Sequence, residues 1–388
     1  MEKSKKVFLI FTAVFLGCVL IIGSVFGTIA IVRNRNAVMK YKGVYLTQGA
    51  LNYISASYKY DYMSALKKSG VDCADSEAFW QSKSGSGKTY GEILSENTDQ
   101  YIRSVLIGSY LFDQNTRLTK DDKAAIKRSV AEVLEYRADG DVGRFNEIGE
   151  PMGFDYKDFE KAAELLYKSQ MAQTVIFGFD GASLSSGGFA SECDAYFNSS
   201  YSRVKLMIVR TDGVLTTDPE TGKQVLDEYD DSERAEALAK IDTLRERIAS
   251  GQMNEEAFDW HIANEYSTGT VNDTYGYYFS ANSSYSVQFT QQSQSDIVRK
   301  ALTVGIGEYA EAELDIGVCF ILRCPLEEGA YGRITLSHFF EDFYTNAAPY
   351  VYTELINVYL SDVAVKDTYD AKAVITQPYN YELPVKFG

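Results

Sequence analysis

Apolar residues follow three different patterns along this chain. Residues 7–32 form one continuous apolar run. Between about residues 47 and 180 apolar residues recur at helical spacing, which predicts helices beginning after Thr47, near residue 90, after Thr119 and after Asp155. Beyond residue 200, short apolar runs alternate with helical stripes in the order strand–helix–helix–strand–helix–strand–strand. A further helix is predicted over residues 336–361. The pattern therefore predicts an α+β protein with a largely helical first half.

The run at residues 7–32 carries no charged residue and has lysines on its N-terminal side and basic residues on its C-terminal side. At ~1.5 Å per residue it is long enough to cross the ~30 Å hydrocarbon layer of a membrane. We therefore predict an uncleaved transmembrane anchor with most of the chain outside the cytoplasm. A cleaved secretory signal would have a shorter apolar region, and a lipoprotein signal at Cys18 would be followed by fewer apolar residues.

Charge and cysteine content exclude several classes of function. The chain has a net charge of −16 although its first 42 residues are basic, so the remainder is strongly acidic and no nucleic-acid partner is expected. Its five cysteines are scattered without C-x-x-C spacing, which predicts buried free thiols rather than a zinc site. The segment 82–89 lacks the first glycine of a phosphate-binding loop. We expect no metal and no cofactor.

Several motifs follow one another in the second half of the chain. They are Arg203–Val209, Ala263–Ser267, Gly276–Tyr278, Phe289, Ala301–Gly305 and Gly317–Arg323. In this order they resemble the parvulin-type peptidyl-prolyl isomerases. The helical region before them and the helix after them resemble the chaperone module of extracytoplasmic foldases of the PrsA/SurA type. The resemblance implies four segments: a cytoplasmic tip and anchor at 1–36, a helical module at 43–200, a parvulin-like domain at 201–328, and a C-terminal helix and tail at 333–388.

The resemblance also implies where a peptide would bind, and there the chain departs from the family. Parvulins place a histidine on each of two strands, and these positions hold Leu206 and Cys319. The family's Cys/Asp position falls near Gly269. Phe289 matches the pocket phenylalanine, and Tyr285 replaces the pocket methionine. We therefore predict no catalytic residue, and the candidates for peptide binding are Leu206, Tyr277, Tyr285, Phe289 and Cys319.

The chain's two histidines, His261 and His338, lie on neither catalytic strand, and we expect both to be surface or interfacial. Three functions remain open from the sequence. The first is a membrane-anchored chaperone that binds unfolded exported polypeptides, with homodimer formation left open. The second is a slow prolyl isomerase that uses Tyr285, Phe289 and Cys319. The third is a structural cell-envelope protein.

Overall fold

The computed structural model describes residues 37–185, 188–266, 275–281, 283, 291–333, 336, 340, 342–366 and 369. The chain forms two compact units. The helical unit comprises Met1–Ser183 and Ala348–Gly388, and the sheet unit comprises Leu184–Ala347. The four-segment division expected from the sequence stays a prediction.

The helical unit consists of a small sheet followed by six helices, and the C-terminal part of the chain adds a helix and a strand. The sheet has the order β2-β1-β9 and is antiparallel. The elements are β1 Ala37–Tyr41, β2 Val44–Thr47, α1 Gln48–Lys68, α2 Glu77–Gln81, α3 Tyr90–Asn115, α4 Lys120–Ala138, α5 Val142–Gly149, α6 Tyr156–Phe177, α11 Phe343–Tyr359 and β9 Ala364–Val365.

Side-chain caps fix where these helices begin, as the sequence predicts. Thr47 accepts a hydrogen bond from the amide of Ala50 at the start of α1. Thr119 with Asp122, and Asp155 with Asp158, form reciprocal capping boxes at the starts of α4 and α6. Each cap satisfies amide groups that have no partner within the helix. The predicted starts of these three helices are confirmed.

The core of the helical unit lies mainly between α3 and α6, whose backbones approach closely at Gly108. A Cβ atom at this position would lie 2.5 Å from Ser169 Oγ and 2.7 Å from the hydroxyl oxygen of Tyr352. The neighbouring Ser109 hydroxyl donates a hydrogen bond to the carbonyl of Leu165 at 2.8 Å. Glycine at position 108 therefore sets how closely the two helices pack.

The predicted anchor at residues 7–32 lies outside the described residues. Within the described ranges, which begin at residue 37, no helix has both the length and the apolarity needed to span a bilayer.

The sheet unit is built on a four-stranded antiparallel sheet of order β6-β3-β8-β7. A separate hairpin, β4–β5, follows β3. The elements are α7 Ala190–Ser200, β3 Tyr201–Arg210, β4 Gly213–Thr217, β5 Gln224–Glu228, α8 Asp231–Ala249, α9 Glu255–Asn264, β6 Tyr277–Ser280, α10 Gln291–Thr303, β7 Tyr309–Leu314 and β8 Gly317–Cys324. Apart from the hairpin, the elements from β3 to β8 follow the predicted order.

Each face of this sheet carries its own core, because side chains alternate along a strand. Met207, Val209 and Phe320 pack with α8 and α9 on one face. Leu206 and Cys319 pack with α10 on the other. Cys324 belongs to the first core, so Cys319 and Cys324 lie on opposite faces as predicted. The four described cysteines are buried free thiols.

One local prediction is wrong. The last helix begins at Phe343 and not near residue 336. The hairpin β4–β5 was not predicted from the sequence, and a turn at Asp218–Gly222 joins its two strands.

Candidate functional site

Leu206 and Cys319 lie on adjacent strands and face the same side of the sheet. In the register of β3 and β8, Leu206 is opposite Ile321, and Cys319 is opposite Ile208. Leu206 is 1% exposed and Cys319 is 0% exposed. Ile297 and Ala301 of α10 belong to the same buried cluster. Both positions therefore lie in an apolar core between the sheet and α10.

Neither of these two side chains carries a charge or a strong hydrogen-bonding group. Leu206 has no polar side-chain atom. Burial raises the pKa of the Cys319 thiol, so the thiol is protonated at neutral pH. Its sulfur lies 3.8 Å from the carbonyl oxygen of Phe320. A protonated buried thiol is a weak hydrogen-bond donor and a poor nucleophile.

Tyr277 completes the part of the candidate site that the structure describes. It lies on β6, is 6% exposed, and stacks on Phe279 with ring centroids 6.1 Å apart. It belongs to the same cluster as Leu206 and Cys319. Tyr285, Phe289 and the Gly269 position lie outside the described residues. Three of the five candidates are thus brought together in one core.

The opposite face of β3 carries an ionic cluster that we did not identify from the sequence. The Lys205 ammonium, which is buried, lies 3.0 Å from Glu255 Oε1 and 2.6 Å from Asp259 Oδ2, both on α9. Cys324 Sγ lies 3.7 Å from Glu255 Oε1. A lysine directly before the apolar run Leu206–Val209 was the available signal, because a buried ammonium requires a carboxylate partner. The cluster holds α9 on the sheet.

The pKa values in this ionic cluster reflect the pairing. Burial alone would lower the pKa of Lys205, but the hydrogen bonds to Asp259 and Glu255 outweigh it and raise the pKa. The hydrogen bond from Lys205 lowers the pKa of Glu255, against the effect of burial. Burial raises the pKa of Cys324 to about 11. At neutral pH the lysine and Glu255 are therefore charged and the thiol is neutral.

His261 is buried, so the expectation of a surface position is wrong for this residue. Its Nε2 lies 2.9 Å from Arg247 Nη1, and its Nδ1 lies 2.7 Å from Glu265 Oε2. The polar neighbours at both ring nitrogens explain why a histidine is tolerated in the interior. His338 lies outside the described residues.

No protein-family model matches the chain, and no curated protein matches it. Solved structures similar to it include PrsA from Bacillus subtilis, at 12% identity and a TM-score of 0.20 over 76% of this chain and 96% of that one. PrsA from Bacillus anthracis is 15% identical, with a TM-score of 0.21, and the match covers 68% of this chain and 98% of that one. PrsA from Bacillus cereus is 12% identical, with a TM-score of 0.20, and the match covers 76% of this chain and 95% of that one.

These structures belong to the family that the sequence motifs resemble. TM-scores near 0.2 do not establish a shared fold, however.

Proposed function

We propose that this chain is a membrane-anchored extracytoplasmic chaperone that binds unfolded or partly folded exported polypeptides. The sheet unit is a parvulin-like domain that has kept the fold and lost most or all of its catalysis. Residues 7–32 form the anchor. Binding and release need no nucleotide.

The order of elements in the sheet unit carries the proposal. The strands β3 and β8 are adjacent and antiparallel, and they hold the first and last of the motifs that resemble parvulins. Two helices follow β3, and one helix precedes β7 and β8. The element order matches the order that the sequence motifs predict, which supports the parvulin-like assignment.

The chemistry of the two strand positions supports the loss of catalysis. Rotation about a prolyl amide has a barrier of ~18–20 kcal/mol, and catalysis requires groups that stabilise the twisted amide better than the planar one. Leu206 offers no polar group, and the Cys319 thiol is protonated and 0% exposed. Removing one positioned hydrogen-bonding group commonly lowers a rate by ~10²–10³.

Exposed aromatic side chains in both units support transient binding of unfolded chains. Phe179 of the helical unit is 95% exposed, and Trp260 of the sheet unit is 55% exposed. Aromatic rings provide apolar contact area at a small loss of side-chain entropy. Contacts of this kind fit weak binding and release without ATP.

Two assays on the full chain in detergent test the proposal. One measures aggregation of a denatured model protein, and the other measures isomerisation of a proline tetrapeptide. We expect suppressed aggregation and an isomerisation rate equal to that in buffer. An accelerated rate that Phe289→Ala abolishes would replace our proposal with the prolyl isomerase. No suppression at a molar excess, together with no acceleration, would favour the structural envelope protein.

A further inference from the structure

A cavity of about 570 Å³ lies between α8 and the C-terminal end of α9. From α8, Ala239, Lys240, Leu244 and Arg247 line it, because residues three, four and seven apart share one helix face. Leu244 is buried and gives the cavity an apolar floor, while Lys240 and Arg247 are exposed at its rim. The volume is within the range of small-ligand sites, ~300–1,000 Å³.

The α9 side of the cavity contributes His261, whose two ring nitrogens both have polar partners. A guanidinium group can only donate hydrogen bonds, so His261 Nε2 must accept from Arg247. The proton is therefore on Nδ1, which donates to Glu265 Oε2. The bond to His261 orients Arg247 and uses one of the five N–H groups of the guanidinium.

Lys240 and Arg247 provide the positive charge of the cavity. Seven residues separate them, which places them ~10 Å apart along one face of α8. Neither has a carboxylate within salt-bridge distance among the described residues. Tyr266 adds a hydroxyl, and burial together with Glu265 raises its pKa, so that the hydroxyl keeps its proton and can donate.

Two carboxylates at the cavity restrict the charge of the ligand. Glu265 already accepts the His261 proton, and Glu236 lies one helical turn before Lys240. Both would repel a phosphate dianion more strongly than a singly charged carboxylate. The apolar floor at Leu244 favours a carboxylate that is attached to an apolar group.

We propose that this cavity binds a carboxylate carried by an apolar residue of a polypeptide. Arg247 and Lys240 bind the carboxylate oxygens, and the apolar side chain covers Leu244. The carboxylate comes from the C-terminus of the bound chain or from an acidic side chain next to an apolar residue. This inference deepens the proposed function and rests on it for the source of the ligand, a client polypeptide.

The test measures binding of a short peptide ending in phenylalanine and leucine to the full chain. Three forms are compared: a free C-terminus, an amidated C-terminus, and an amidated peptide with an internal glutamate. Histidine ring nitrogens labelled with ¹⁵N report the binding, and the chain has only two histidines to resolve. We expect the free peptide to shift the His261 Nε2 signal and to bind about tenfold or more tightly than its amide.

Variants distinguish a specific carboxylate site from nonspecific binding. Arg247→Ala is expected to weaken the free peptide about tenfold or more, and Lys240→Met several-fold. Arg234→Ala, on α8 but outside the cavity, is the matched control and should bind as the wild type does. Circular dichroism verifies that each variant is folded.

The outcomes of these binding experiments distinguish the carboxylate site from the chaperone function. Tight binding of only the glutamate peptide assigns the site to acidic side chains. Equal binding of the free and amidated peptides, or unchanged binding by Arg247→Ala, overturns the carboxylate site. Peptide binding without suppression of aggregation would keep the site and refute the chaperone.

Discussion

At the residue scale, the side chains of Leu206 and Cys319 fill a core. They share one buried cluster with Ile297 and Ala301 of α10. An imidazole there would lose its hydrogen bonds to water and find apolar neighbours instead. The local structure therefore favours the residues that the chain has.

The double variant Leu206→His/Cys319→His tests this point. We expect it to lower the free energy of unfolding by about 1–3 kcal/mol per buried, unpaired imidazole and to gain no prolyl isomerase activity. Urea unfolding and the tetrapeptide assay measure the two quantities. Leu206→Met, which conserves volume, should cost less than about 1.5 kcal/mol. Turnover above that of the wild type would contradict the prediction.

Lys205 gives a second prediction, which concerns pH. The pKa of Glu255 is lowered by Lys205, so this pairing stabilises the fold above the unfolded pKa of Glu255, near 4.5, and the stabilisation is lost as the pH falls through the folded value. Lys205→Met should lower the free energy of unfolding at neutral pH by about 1–2 kcal/mol, since both carboxylates are half-exposed and remain hydrated.

The same variant should lose less stability on acidification than the wild type does. Urea titrations at neutral pH and well below the unfolded pKa of Glu255 measure the difference. Lys223→Met, which removes an exposed lysine without an ion pair among the described residues, is the control. An equal loss in Lys205→Met and the wild type would show that the pairing contributes nothing to the pH dependence.

At the scale of helices and strands, the close packing of α3 against α6 requires that residue 108 has no side chain. Gly108→Ala would bring its Cβ against Ser169 and the Tyr352 hydroxyl, so the helices must separate or distort. We expect a loss of about 1–3 kcal/mol, as for other overpacked cores. Gly85→Ala is the matched control, because nothing lies within 4 Å of a Cβ there. Equal thermal unfolding of the two variants would contradict the close approach.

The sequence predicts long helices better than short strands in this chain. The helices after Thr47, Thr119 and Asp155 have both a cap and an extended apolar stripe, and their starts are confirmed. The hairpins β1–β2 and β4–β5 consist of strands of four or five residues, too short for alternation to be distinguished from a loop.

The candidate site was predictable only in part. The alternation of β3 and β8 could be read from the sequence, and it puts Leu206 and Cys319 on one face. That α10 covers this face depends on packing between distant segments. The burial of His261 depends likewise on Arg247 and Glu265, which lie 14 residues before it and four residues after it.

At the scale of the whole molecule, the net charge of −16 would affect which polypeptides the proposed chaperone binds first. Long-range attraction accelerates the encounter of oppositely charged proteins and is screened by salt. We expect aggregation of a basic denatured protein to be suppressed at lower chaperone concentration than that of an acidic one of similar size. The advantage should shrink at high ionic strength. Light scattering measures both, and an advantage independent of salt would rule out steering by charge.

The different side chains on the two faces of β3 also disfavour incorrect pairing of this strand in the sheet. A shift of its pairing by one residue would exchange the two sets of side chains, placing Lys205 in the apolar layer under α10 and Leu206 among the carboxylates of α9. Such a mispaired intermediate would hold an unneutralised ammonium in hydrocarbon surroundings and would reopen before the remaining strands join. The alternation of Lys205 and Leu206 therefore disfavours a one-residue shift of β3, an inner strand of the sheet.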